Sequence, residues 1–95
     1  MKLFLDCEFN GFGGELISMA LVDEEGHSFY EVLSCLDPVP WVAENVMPIL
    51  AQEPVSFTEF QNKLGLFLNA YDAIHVIADW VDDLSLFTRS LVLGA

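Results

Sequence analysis

Polar and apolar residues alternate from the start of the chain, so that residues 2–8 read as a strand with Cys7 on one side and Asp6 and Glu8 on the other. The same spacing predicts a second strand over 15–23 and a third over 28–34, joined by Glu24-Glu25-Gly26-His27, a hairpin turn in which glycine takes positive φ cheaply. That is an antiparallel meander. The first connection, Asn10-Gly11-Phe12-Gly13-Gly14, has the glycines of a dinucleotide-binding loop. The residues after it are Ile, Met, Leu and Val at strand spacing rather than an opening helix, which excludes that reading. Placed directly after Asp6 and Glu8, such a loop can cover a substrate end with Phe12 as a stacking residue; a plain flexible turn explains the same composition.

Asp37-Pro38-Val39-Pro40 ends the meander, and Pro40 suits the first turn of a helix running through Trp41, Val42 and Val46 until Pro48 disrupts it. Ser56-Phe57-Thr58-Glu59 is a capping box. It opens a helix over 56–71, with Phe57, Phe60, Leu64, Phe67, Leu68 and Tyr71 as a core-facing stripe. The apolar run Ala73 to Ala78 predicts a strand over 74–78, buried on both faces and parallel to the first strand. A right-handed crossover puts the ends of both strands at one edge, bringing Asp79 beside Asp6 and Glu8. A last helix over 80–92 carries Trp80, Leu84, Phe87 and Leu91 at helical spacing. Asp79 also stands where that helix wants an N-cap, and capping alone accounts for an Asp there.

The candidate chemistry begins with Asp6 and Glu8. At a rise of ~3.3 Å per residue they share one strand face at a spacing a divalent cation can bridge, because hard cations select oxygen ligands. A strand running out into solvent explains the same pair without a metal.

Composition bounds the alternatives. A chain of 95 residues makes one domain, 1–95, able to bury only about two-thirds of its unfolded surface. Hydrophobic content of 54%, with 8 Phe and 2 Trp, implies either a dense core or apolar surface that awaits a partner. No apolar run approaches the ~18–20 residues of a membrane helix, and the N-terminus does not read as a signal peptide. The expectation is a cytoplasmic protein with no membrane partner. Cys7 and Cys35 have no zinc or disulfide spacing and read as reduced thiols, Cys7 packing as a small hydrophobe. A net charge of −12, with only Lys2, Lys63 and Arg89 as cations, argues against broad phosphate neutralisation. A nuclease whose bound cations meet the phosphate is compatible with that surface, and short substrates are then favoured. Asp23, Glu24, Glu25, Glu44 and Glu53 read as a solubilising face.

Leu3 to Asn10, with Glu15 to Val22 and Gly26 to Val32 after it, resembles the opening meander of the DEDD-type 3'–5' exonucleases of the RNase H-like fold. Within them the chain is most similar to small prokaryotic exoribonuclease-like proteins, whose first motif stands here as Asp6-Cys7-Glu8-Phe9. His75 to Leu84 resembles the second motif, with Asp79 as the matching residue. The resemblance implies an α/β, RNase H-like fold whose mixed sheet is an antiparallel meander and then a parallel strand. It further implies 3'–5' phosphodiester hydrolysis at the end of single-stranded RNA or DNA, RNA being preferred by similarity alone. Asp6, Glu8 and Asp79 would be the catalytic and metal-binding residues, holding Mg2+ or Mn2+ in a two-metal site. The family's third motif, a His or Tyr a few residues before a last Asp, has no counterpart after Asp79. The fold is therefore expected to be truncated at its C-terminus, without the general base and the fourth ligand, and weak or inactive. His75, on the incoming strand, does not supply the missing pattern. The alternative function is a catalytically incomplete exonuclease-fold module that serves in protein–protein interaction, pairing as a homo-oligomer. An acidic nucleic-acid mimic is a third reading, disfavoured because Asp6, Glu8 and Asp79 gather rather than spread.

Overall fold

The computed structural model describes residues 1–92. Its elements are β1 (Lys2–Phe9), β2 (Leu16–Asp23), β3 (Ser28–Val32), α1 (Pro40–Asn45), a 3-10 turn (Met47–Ile49), α2 (Phe57–Leu68), β4 (His75–Ala78) and α3 (Val81–Val92). They build an α/β structure around one four-stranded mixed sheet in the order β3-β2-β1-β4. β1, β2 and β3 pair antiparallel, with Leu5 opposite Leu21 and Leu21 opposite Phe29. β4 runs parallel to β1, Leu3 facing Val76 and Leu5 facing Ala78. No helix among the described residues is long and apolar enough to cross a membrane.

Strand alternation divides the sheet into two unlike faces. Leu3, Leu5, Cys7, Met19, Leu21 and Phe29 form one core with Phe60 and Leu64 of α2 and with Leu86 and Phe87 of α3. Phe29 is its hinge, its ring centroid lying 5.9 Å from that of Phe60 and 5.7 Å from that of Phe67, both tilted as aromatic quadrupoles prefer. On the opposite face a smaller core gathers at one corner, where Val42 of α1, Val46, Met47 of the 3-10 turn and Leu50 pack around Ile17. Ile17 lies at a slip in register: Glu8 pairs with Ser18 but Phe9 pairs with Leu16, so Ile17 is the extra residue of a β-bulge. Along the rest of that face Ser18 and Val32 are buried and Ala20 and Tyr30 half-buried, while Phe4 and Val22 are exposed.

Three sequence expectations need correction. β4 is not buried on both faces: it is an edge strand, exposed at His75 and half-buried from Val76 to Ala78, because nothing pairs outside it. The last helix begins at Val81, after Trp80, and of the residues at helical spacing only Phe87 is buried: Trp80, Leu84 and Leu91 are exposed, and the buried side of α3 is Asp83, Leu86, Phe87 and Ser90. Asp23 is not a solubilising surface acid but a buried one. α2 opens as expected, with the Ser56 hydroxyl accepting the Glu59 N–H at 3.1 Å, yet it ends at Leu68. Beyond that end Tyr71 reaches back across the chain, donating its hydroxyl to Asp23 Oδ2 at 2.7 Å.

Asp23 thereby latches the β2–β3 turn to the end of α2. Its carboxylate also accepts the N–H groups of Glu25 at 2.8 Å and His27 at 2.9 Å, and contacts the His27 ring at 3.0 Å. Burial pushes the Asp23 carboxyl up, but the donors together outweigh it and hold it at about 2. A folded-state value below the unfolded one, about 3.9, means stability that is fully present above that value and lost as pH falls towards about 2. Asp23→Asn and Tyr71→Phe should both lower the melting temperature at pH 7. In melts followed by circular dichroism between about pH 2 and 7, the Asp23→Asn deficit should shrink as the parent carboxylate protonates.

Candidate functional site

The site grows out of unequal strand lengths. β4 ends opposite Leu5, whereas β1 continues to Phe9, so from Asp6 onward β1 has no strand on that edge. The start of α3 fills the gap. Asp83, in its first turn, accepts the backbone N–H of Cys7 and is only 2% exposed. Its Oδ1 is buried without a hydrogen-bond partner. An unpaired carboxylate oxygen in that position costs stability.

Other acids surround it. Asp6 is exposed and Glu8 half-buried on the open face of the sheet, where they pair with Ala20 and Ser18 of β2. Asp79 leaves β4 one residue past Ala78, level with Asp6 at the same edge, and is exposed; Asp82 is half-buried one residue before Asp83. The parallel pairing thus brings Asp79 to the same edge as Asp6 and Glu8. Burial raises the proton affinity of Asp83, and the charges of Asp6, Asp82 and Asp79 raise it further against the Cys7 N–H. Glu8 is raised too, first by burial and then by Asp6 and Asp83. Cys7 is pushed far above the usual thiol range by burial and then by the charges of Asp83, Asp6 and Glu8, so it is a packing residue rather than a nucleophile. Among the described residues no three His, Cys, Asp or Glu side chains converge closely enough, as they stand, to hold a metal ion.

A cleft of about 580 Å³ opens beside these acids, lined by Glu8, Phe9, Gly11, Phe12, Trp41, Val42, Asp79, Trp80, Val81 and Asp82. Asn10 holds its walls together. Its Nδ2 donates to Glu15 Oε1 at 3.2 Å and to the Asp37 carbonyl at 3.0 Å, while its Oδ1 accepts the Val39 N–H at 2.8 Å. The glycine loop is thereby tied to the start of α1. Gly11 takes φ +74°, and a Cβ on Gly14 would collide with the Asn10 carbonyl, so the loop needs its glycines where they stand.

Neither histidine reaches this edge. His75 is at the opposite end of β4, its N–H bonded to the Met1 carbonyl, and His27 sits in the β2–β3 turn against Asp23. From the sequence, Asp83 enters only with Asp82 as a substitute for the missing ligand and not among the site residues, although the signal was present: Asp83, Leu86, Phe87 and Ser90 recur at i, i+3, i+4 and i+7, placing an acid in the buried register of a helix. Models of known protein families match no part of this chain, and a search of curated proteins finds no relative.

If Asp83 is strained by its neighbours, removing its charge stabilises the fold. Its raised folded-state value means no cost below the unfolded value of about 3.9, and a cost that grows as pH rises through the higher folded value. Asp83→Asn keeps an acceptor for Cys7 and should melt above the parent at pH 7, the two converging near pH 4. A lower melting temperature at pH 7 would mark Asp83 as a structural cap.

Proposed function

We propose that this protein is a metal-dependent nuclease of the 3'–5' exonuclease type, with an RNase H-like fold, that hydrolyses the ends of single-stranded RNA or DNA. The observation that carries the reading is Asp83: a buried carboxylate with an unpartnered oxygen, held by the Cys7 N–H beside Asp6 and Glu8. Acids packed against their own repulsion mark functional sites more often than structural ones. The order β3-β2-β1-β4, a meander with β4 parallel to β1, supports the fold assignment.

The donor chemistry fits Mg2+ or Mn2+. Asp6, Glu8 and Asp83 offer oxygen alone, with Asp79 and Asp82 at the rim, and Asp83 Oδ1 has no competing donor. Binding requires Asp6 and Glu8 to rotate towards Asp83, since the side chains do not converge as they stand. When bound, such ions supply an activated water and neutralise charge on the scissile phosphate. The residues themselves do the positioning: the Cys7 N–H orients Asp83, and the Asn10 clasp fixes the cleft in which the strand end lies. With both imidazoles distant from the acids, no described His can act as general base, a role worth ~10²- to 10⁴-fold in rate. Turnover by this chain alone is therefore slow.

A Mn2+ titration followed by thermal melting tests the site. The parent should rise by up to about 2.7 kcal/mol of stability at a metal concentration 100 times Kd, and Asp6→Ala and Asp83→Asn should lose that gain. Equal shifts in all three proteins would remove the metal site. A 5'-labelled single-stranded RNA oligonucleotide, incubated with Mn2+, should be shortened slowly from its 3' end by the parent and not by Asp83→Asn.

The second reading, an interaction module that pairs with its own copies, rests on the uncovered sheet face at Phe4 and Val22 and on the unpaired edge of β4. It expects a concentration-dependent dimer in light scattering, and a monomer at every concentration would remove it.

A further inference from the structure

We infer that two copies of this chain join edge to edge through β4, antiparallel about a two-fold axis at Ile77, so that their sheets become one and His75 of each copy meets Asp79 of the other. The inference rests on the interaction-module reading above and specifies its surface, its register and the charges that select it. The edge is open to a further strand. His75 gives its N–H to the Met1 carbonyl, so along the parallel ladder His75 and Ile77 turn their backbone groups to β1 while Val76 and Ala78 turn theirs outward. Among the described residues no strand lies beyond β4. Nor does His75-Val76-Ile77-Ala78 carry a Lys, a Pro or a bulge to keep another strand away.

Charge selects the occupant and the register. A chain of net charge −12 repels its own copies over most of its surface. This edge differs because it is polarised: Lys2 pairs with His75 at one end of the β1–β4 ladder, and Asp6 and Asp79 lie level at the other. A two-fold axis reverses the second strand, so the cationic end of each copy meets the acidic end of its partner. With Ile77 opposite itself, Val76 exchanges backbone hydrogen bonds with Ala78 of the partner subunit, and His75 stands across from Asp79 of the partner subunit at both ends of the joint. His75 pairs with Lys2 and Ile77 with Phe4, so these side chains share the open face, and the middle of the joint there is apolar. Centring the pairing on Val76 instead sets His75 against Ile77 and loses both charge pairs. α3 adds a second contact. Asp82, Ser85 and Arg89 line a hollow with Gly13 and Gly14, whereas Val81, Leu84 and Leu91 lie on the other flank, exposed and without an acid among them. A strand added beside β4 lets two such flanks cover each other.

Sedimentation equilibrium at pH 6 with EDTA present tests the pairing with no metal at the acids. The parent should dimerise. His75→Glu sets an acid against Asp79 of the partner subunit twice per dimer and should weaken association by about tenfold or more. Asp79→Lys, which sets a cation against His75, should weaken it too. The chain carrying both substitutions should return to within a few-fold of the parent. Positions 75 and 79 of one chain are ~13 Å apart along the strand, so that rescue reads only the contact between copies. Both residues are exposed, and thermal melting checks that each variant folds. Ala78→Pro removes an outward N–H that β1 does not use and should abolish the dimer. A dimer of undiminished strength in His75→Glu and Ala78→Pro, or a double variant no tighter than the single ones, overturns this pairing and leaves the interaction module joined through Phe4 and Val22 instead. A monomer at every concentration overturns both, and leaves the edge to an extended segment of a different protein.

Discussion

The parallel pairing of β1 with β4, and its early end at Leu5 and Ala78, is the constraint on which the rest of the molecule depends. Had β4 run two residues further, the Cys7 N–H would have been taken by a neighbouring strand. Left free, it needs an acceptor, because a buried backbone donor without one is costly. Asp83 supplies the acceptor from the same side of α3 that turns Leu86 and Phe87 into the core, with Leu84 and Leu91 out. One missing ladder bond and the apolar packing of Leu86 and Phe87 thus agree on which side of the helix is buried, and with it on where a carboxylate is held.

Stability is concentrated away from this edge. The packed face of the sheet holds Leu3, Leu21, Phe60 and Leu64 almost completely out of water, and the Asp23 latch closes the opposite end of the sheet. At the carboxylate end the balance reverses: acids repel one another, an oxygen lacks a partner, and aromatic rings stand in solvent. Natural chains tolerate such local conflict where it serves a ligand and offset it elsewhere in the fold. The proposed chemistry occupies this one strained edge.

The strands, the turn at Gly26, the break at Pro48 and the Ser56 cap were legible in the sequence because each is set by local rules: alternation, positive φ, a missing N–H, a side-chain acceptor. The parallel placement of β4 came from handedness, and with it the arrival of Asp79 at the edge of Asp6 and Glu8. The features that were not legible depend on tertiary contacts. β4 reads as apolar throughout, yet burial is decided by the elements that pack against it, and β4 has a neighbour on one side only. The side of α3 that faces inward could not be chosen from Trp80, Leu84, Phe87 and Leu91 alone, since the competing set of Asp83, Leu86, Phe87 and Ser90 includes an acid and looks the poorer stripe. Asp23 likewise looks like any turn acid until Tyr71, 48 residues later, arrives at its oxygen.

The bulge at Ile17 has a consequence of a different kind. Glu8 and Phe9 are adjacent, yet their partners on β2, Ser18 and Leu16, are two apart, so the extra residue fixes a count rather than a composition. Ile17 can vary in shape as long as it fills the corner under α1, but its deletion would restore an even ladder and move Leu16 and Glu15 by one place. Glu15 receives the Asn10 side chain, so the glycine loop and the start of α1 would lose their common anchor together. At Ile17 the strand behaves as a ruler: it accepts a change of letter and rejects a change of length.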